Sequence, residues 1–120
     1  MRESEEILRE IVSYIDKNMT RKLTVEGIAA HSYISQTYLQ CLFKEHYGMP
    51  LAEYVRKQRM KRSMELLNMG KRVNDIAYDV GFEHESSFIR SFKREFGMTP
   101  GEARRKMQRE KAVCQNNNSL

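Results

Sequence analysis

Apolar side chains recur at helical spacing over most of the chain. The separations of one, three and four residues are those that place side chains on one face of an α-helix. The first stripe comprises Ile7, Leu8, Ile11, Val12 and Ile15. Further stripes contain Leu39, Leu42 and Phe43, and then Phe88, Phe92 and Phe96. Alternating apolar and polar residues, the mark of a strand, do not extend over a useful length. The pattern therefore predicts an all-α fold.

Capping and helix-stopping residues divide these stripes into about seven helices. Ser4, Thr24 and Ser35 are candidate N-caps, since a short hydroxyl side chain can accept from a free amide at a helix start. The predicted stops are Gly48, Gly70, Gly81 and Gly97, the last reinforced by Pro100. The predicted later helices are 51–68, 73–80, 85–96 and a basic helix over 102–111. Residues 112–120 include three consecutive asparagines and are expected to be disordered.

The most informative feature is an internal repeat. Val25, Ile28 and Ala29 recur 48 residues later as Val73, Ile76 and Ala77. Leu39, Phe43, Lys44, Gly48 and Met49 recur 49 residues later as Phe88, Phe92, Lys93, Gly97 and Met98. Each copy reads as a short helix, a tight turn and a longer helix, which is the helix-turn-helix layout. The predicted organisation is a first subdomain over 5–49, a linker helix over 50–69 and a second subdomain over 70–111.

The predicted turns differ between the two copies. Ala77 precedes Gly81 by four residues, so that a small residue lets the helices cross closely and glycine can adopt a left-handed backbone. The first copy keeps Ala29 but has Tyr33 at the glycine position. A tyrosine adopts that conformation only at some energetic cost.

The second helix of each unit is expected to lie in the major groove, with its polar face toward the bases. The candidate base-reading residues of the first unit are Gln36, Thr37, Gln40 and Cys41, and those of the second are Glu85, Ser86, Ile89 and Arg90. Glutamine can pair with adenine, arginine with guanine and glutamate with the cytosine amino group. For Ile89, a thymine-methyl contact and a place in the core beside Phe88 are equally consistent with the pattern.

Phosphate contacts are expected at the edges of the same helices, although a solvated surface charge is an alternative for each lysine. The candidates are Ser35, Lys44, Lys93 and Arg94. A denser basic run occupies the linker helix: Arg56, Lys57, Arg59, Lys61 and Arg62. It surrounds more than one helical face, so we expect that helix to be mainly structural, with one or two phosphate contacts at most.

Charge and cysteine content narrow the possible functions. The 120 residues carry 21 Lys and Arg against 16 Asp and Glu, a formal charge of +5 and a pI near 9.3. This balance favours a polyanion such as nucleic acid, although charge alone is also compatible with a basic protein lacking such a partner. Cys41, Cys114 and three scattered histidines lack metal-ligand spacing, so no metal or other cofactor is expected. The charged N-terminus is unlike a signal peptide, no apolar stretch is long enough for a membrane span, and we expect a cytoplasmic protein.

The repeat and its motifs resemble the AraC/XylS family of bacterial transcription regulators over about 5–106. The resemblance is carried by residues 38–48 (YLQCLFKEHYG), Arg59-Met60, Leu66-Leu67, residues 76–82 (IAYDVGF) and residues 87–100 (SFIRSFKREFGMTP). It implies seven helices, a long helix spacing two helix-turn-helix units, and activation of transcription, commonly through contact with RNA polymerase. Three residues depart from the family pattern. Tyr33 stands at the position of a turn glycine, Cys41 at the position where some relatives have a base-reading arginine, and Ser63 at the position of a linker alanine.

The leading functional hypothesis is a sequence-specific regulator whose two recognition helices enter neighbouring major-groove segments of double-stranded DNA. Such segments are about 34 Å apart. The alternative is a protein-interaction module in which one unit binds a partner instead of DNA, suggested by Cys41 and Ile89. An enzyme is not expected, because no nucleophile–base pair or phosphate loop can be assembled. The chain is either a complete small regulator or part of a larger one with a sensor or receiver domain.

Overall fold

The structure is a computed structural model that describes the backbone of residues 3–118 and the side chains of residues 3–112. Within that range it is all-helical, which confirms the predicted fold class. The helices are α1 (Ser4–Lys17), α2 (Val25–His31), α3 (Gln36–Tyr47), α4 (Leu51–Asn68), α5 (Val73–Asp79), α6 (Glu85–Phe96) and α7 (Pro100–Asn118).

Local capping chemistry sets the starts of α2 and α3. Thr24 Oγ1 accepts from the Gly27 amide at 3.0 Å, and Ser35 Oγ accepts from the Tyr38 amide at 3.1 Å. The prediction that Ser4 caps α1 was wrong. Glu3 has the extended N-cap backbone, and its carbonyl already accepts from the Ile7 amide. The helix therefore includes Ser4 as its first residue.

The chain folds into two compact units, whose boundary lies between Arg59 and Met60. The buried core of the first unit comprises Ile7, Leu8, Ile11, Ile15, Ile28, Ala29, Leu39, Leu42, Phe43, Leu51, Tyr54 and Val55. The buried core of the second comprises Met60, Leu66, Leu67, Ile76, Ala77, Val80, Phe88, Phe92 and Ala103. The helix predicted as a separate linker over 50–69 thus contributes side chains to both cores.

The last helix is longer than the sequence predicted. The segment 112–120 was expected to be disordered, but α7 continues as far as Asn118; residues 119–120 lie outside the described part of the chain. No glycine or proline follows Gly101, and asparagine lowers helix stability by only about 0.7 kcal/mol per residue or less. Within the described residues, no helix is both long enough and apolar enough to cross a membrane.

Candidate nucleic-acid interface

The turns between α2 and α3 and between α5 and α6 have matching hydrogen bonds. In the first unit the Tyr33 and Ile34 amides donate to the carbonyls of Ala30 and Ala29, at 3.3 and 3.1 Å. In the second unit the amides of Gly81 and Phe82 donate to the carbonyls of Tyr78 and Ala77, at 3.0 and 2.9 Å. The repeat seen in the sequence is therefore also a repeat of backbone geometry.

The four predicted turn residues take part in these hydrogen bonds, Ala29 and Ala77 as acceptors from within the helices and Tyr33 and Gly81 as donors in the turns. Ala29 and Ala77 are buried, which allows each pair of helices to pack closely. Tyr33 has φ 58° and Gly81 has φ 89°, both left-handed. Tyr33 adopts this conformation while its side chain is 90 % exposed, so the tyrosine ring gains little packing in return.

The α3 face opposite the core carries the predicted reading residues of the first unit. Leu39, Leu42 and Phe43 are buried, and the four predicted residues are all exposed: Gln36, Thr37, Gln40 and Cys41. Tyr38 is also exposed, to 42 %. It is not among the predicted base-reading residues. Its position at the edge of the buried stripe was the available signal.

The corresponding face of α6 is more strongly charged. Phe88 and Phe92 are buried, while Glu85, Ser86 and Arg90 are exposed. The Arg90 guanidinium lies 3.5 Å from Ser87 Oγ, a weak contact that leaves most of its donors free. Ile89 is only partly exposed and packs against the second core, which favours the core interpretation of this residue.

The predicted phosphate contacts are accessible at the two ends of these helices. Ser35 is exposed at the start of α3, and its hydroxyl hydrogen can still donate while the oxygen caps the helix. Lys44 lies in the last turn of α3, and Lys93 and Arg94 lie in the last turn of α6; all three are exposed.

Much of the basic run on α4 is engaged within the protein. Arg59 Nη2 donates to the Arg21 carbonyl at 3.0 Å, and burial lowers the pKa of the Arg59 guanidinium. Arg62 pairs with Glu65 at 3.1 Å, and Lys57 lies 4.0 Å from Glu53. These contacts agree with a mainly structural role for the helix.

Among the described residues, no group of three histidine, cysteine or carboxylate side chains could hold a metal ion. The exposed Cys41 thiol lies on the α3 face that carries the predicted base-reading residues, outside any such group. The chemistry available on the two polar helix faces is therefore hydrogen bonding, apolar contact and charge.

Comparison with known proteins extends these observations. A family model described as a helix-turn-helix domain matches residues 28–106. The chain is 37 % identical over 95 residues to the HTH-type transcriptional activator AarP of Providencia stuartii, covering 78 % of this chain and 70 % of AarP. It is 31 % identical over 104 residues to the regulatory protein SoxS of Salmonella typhimurium, covering 86 % of this chain and 97 % of SoxS.

A solved structure has the same fold. The DNA-binding domain of AdpA, a global transcriptional factor solved in complex with a target DNA, matches with a TM-score of 0.80. The match covers 86 % of this chain and 94 % of that one at 23 % identity, a level that establishes the fold.

Two helix-turn-helix units with exposed polar faces on their second helices define a DNA-binding transcription regulator. The chain belongs to the AraC-type helix-turn-helix family. This confirms both the family resemblance and the class of function that the sequence predicted.

Proposed function

We propose that α3 and α6 are the two recognition helices and that they read neighbouring major-groove segments of one operator. The observation that carries this proposal is the matched pair of turns, each followed by a helix with one buried and one exposed polar face. In helix-turn-helix proteins the second helix enters the major groove, and consecutive half-sites lie about 34 Å apart. Bending the DNA to fit such a pair costs on the order of 1–6 kcal/mol.

The two helices are expected to read different bases. On α3, Gln40 is suited to the bidentate contact with adenine, and Thr37 can contact a thymine methyl group. On α6, Arg90 is suited to guanine, and Glu85 can accept from a cytosine amino group. We therefore expect the second unit to discriminate guanine and cytosine, and the first to discriminate adenine and thymine.

Phosphate contacts from Ser35, Lys44, Lys93 and Arg94 would fix the register of both helices without reading sequence. The protein would act in the cytoplasm, without catalytic activity, as an activator that contacts RNA polymerase. AarP, a relative named as a transcriptional activator, supports the direction of regulation. If the chain is part of a longer protein, a sensor or receiver domain would supply the signal.

The second candidate function is protein interaction by the first unit. It is favoured by the four predicted reading residues of α3, which are all exposed, include no cation and do include the Cys41 thiol. Affinity for unrelated DNA as a function of salt separates the two candidates. Phosphate neutralisation produces a steep slope, and a flat dependence would exclude DNA binding.

The sharpest test of the proposed readout is Arg90→Ala on an operator obtained by selecting bound DNA fragments. We expect affinity to fall by about 1–3 kcal/mol and the preference for guanine at one position to relax. Arg105→Ala is the matched control, because Arg105 is exposed on α7 and the substitution removes the same charge. Equal losses for the two variants, with guanine preference retained, would remove Arg90 from base reading.

A further inference from the structure

In each unit a half-buried arginine on a later helix is hydrogen-bonded to a loop. That loop precedes the first helix of the helix-turn-helix pair. In the first unit, Arg59 on α4 donates to the carbonyl of Arg21 at 3.0 Å. In the second unit, Arg104 on α7 donates from Nη2 to the carbonyl of Lys71. Arg21 lies in the loop before α2, and Lys71 lies in the loop before α5.

Both contacts place a charged guanidinium where it is partly removed from water, which is energetically unfavourable. Burial lowers the pKa of Arg59, because its guanidinium loses part of its hydration. The Nε atoms of Arg59 and Arg104 are buried without a hydrogen-bond partner among the described residues. An apolar residue could fill the same space without these losses. The hydrogen bond to the loop backbone is therefore the feature that distinguishes arginine at both positions.

The two contacts are not copies inherited through the repeat. Val25 and Val73 are equivalent residues, but Arg21 lies four positions before the first and Lys71 only two before the second. The same connection is thus made from different register positions in the two units. This recurrence indicates that the placement of these loops matters.

The loops that are held carry exposed positive charge. The first, residues 18–24, contains Arg21 and Lys22, and the second, residues 69–72, contains Lys71 and Arg72; all four are exposed. Neither loop has an acidic residue. Lys71 Nζ lies 2.5 Å from Asp79 Oδ2, while Lys22 and Arg72 form no ion pair within the part of the chain described by the structure. The side chains of Arg21, Lys22 and Arg72 are therefore available to a ligand.

We propose that these two loops are phosphate-binding sites, with Lys22 and Arg72 as the principal contacts. The first helix of a helix-turn-helix unit crosses the DNA backbone, so the loop that leads into it lies beside phosphates. Arg59 and Arg104 act as positioning residues that hold the loops by their backbone carbonyls. This inference rests on the docking orientation given under the proposed function.

The first test neutralises the loop charges. Lys22→Gln and Arg72→Gln are compared with Arg9→Gln and Arg109→Gln, which remove one exposed charge from the same units outside the loops. Affinities are measured on a selected operator and on a scrambled duplex of equal composition, at salt concentrations between about 50 and 200 mM. Over this range each phosphate contact contributes roughly 0.9 to the slope of log affinity against log salt concentration. We expect each loop variant to lower the magnitude of the slope of log affinity against log salt concentration by about 0.9 on both duplexes. The control variants should leave that slope unchanged.

An unchanged slope in the loop variants, beside a steep slope for the wild type, would overturn the loop sites while leaving DNA binding intact. A flat slope for the wild type itself would contradict the proposed function as well. Loss on the operator alone would assign the loops to base reading and also overturn the proposal.

The second test concerns positioning. Arg59→Met should reproduce the slope loss of Lys22→Gln, and the double variant should lose no more than either alone. Arg59→Lys, which keeps a donor and a charge, should restore the slope. A role confined to stability would lower the melting temperature but leave the slope unchanged. Additive slope losses would equally overturn positioning. If Arg59→Met does not fold, Arg104→Met with Arg72→Gln provides the same comparison.

Discussion

Tyr33 shows how a turn geometry can be kept when its residue type is unfavourable. The backbone has φ 58°, a region that L-residues avoid because Cβ crowds the following carbonyl. The side chain is 90 % exposed and offers little packing to offset that strain. The hydrogen bonds to the carbonyls of Ala29 and Ala30 hold the turn in place instead.

Tyr33→Gly is therefore expected to stabilise the protein. Relief of the left-handed strain should exceed the entropic cost of glycine, for a net gain of about 0.5–1 kcal/mol. Gly81→Ala, at φ 89°, should lower stability by at least about 1 kcal/mol. Urea unfolding of both variants measures the two effects, with Tyr33→Phe as the control that keeps the strain. A glycine variant no more stable than Tyr33→Phe would mean that the turn is not strained.

Helices α3 and α6 differ at their starts. Ser35 caps α3 through its hydroxyl, whereas His84, the N-cap of α6, makes no side-chain capping hydrogen bond. His84 nevertheless has the extended backbone that an N-cap requires, φ −129° and ψ 135°. The backbone at the start of α6 thus has the N-cap conformation, but the His84 side chain makes no capping hydrogen bond.

His84→Ser is expected to raise the free energy of unfolding by about 0.5–1 kcal/mol, because a serine oxygen can accept from a free amide in the first turn. Ser35→Ala should lower it by about 1 kcal/mol for the converse reason. Thermal unfolding followed by circular dichroism provides both values. Should His84→Ser prove neutral while Ser35→Ala destabilises, the histidine must already stabilise this helix start in another way.

How much of the fold was predictable depended on whether a signal was local. Thr24 and Ser35 were predicted as caps correctly, because each acts on an amide three residues away. The contacts of Arg59 and Arg104 span 38 and 33 residues and leave no local pattern. The division of α4 between two cores was also missed, because its apolar residues alone do not reveal which core each joins. For Ile89 the sequence left two interpretations open, and its packing against the second core favours the core interpretation.

Charge is distributed unevenly over the whole molecule. The two units divide between Arg59 and Met60, with nine Lys and Arg against eight Asp and Glu before that boundary and twelve against eight after it. The first unit therefore has a formal charge of +1 and the second +4. Since backbone attraction dominates non-specific affinity, the second unit should hold DNA of any sequence more strongly.

This asymmetry predicts how the complex dissociates from unrelated DNA. As salt is raised during an NMR titration, chemical-shift changes in α2 and α3 should disappear before those in α5 and α6. Salt screens the phosphate contacts of both units, but the first unit, with its smaller positive charge, is attracted to DNA more weakly from the outset. Simultaneous loss in the two units would show that net charge per unit does not govern their hold on DNA. An uncharged duplex analogue serves as the blank.

The continuity of α4 makes the folding of one unit depend on the folding of the other. Leu51 and Tyr54 stabilise its beginning through one core, and Leu66 and Leu67 its end through the other. Either half alone is shorter than the roughly 12–15 residues at which an isolated helix becomes even marginally stable in water. Melting of one unit therefore removes support from the helix that completes its neighbour. If the two units read the two halves of one operator as proposed, a substitution that destabilises either core should shorten the residence of the protein at both halves.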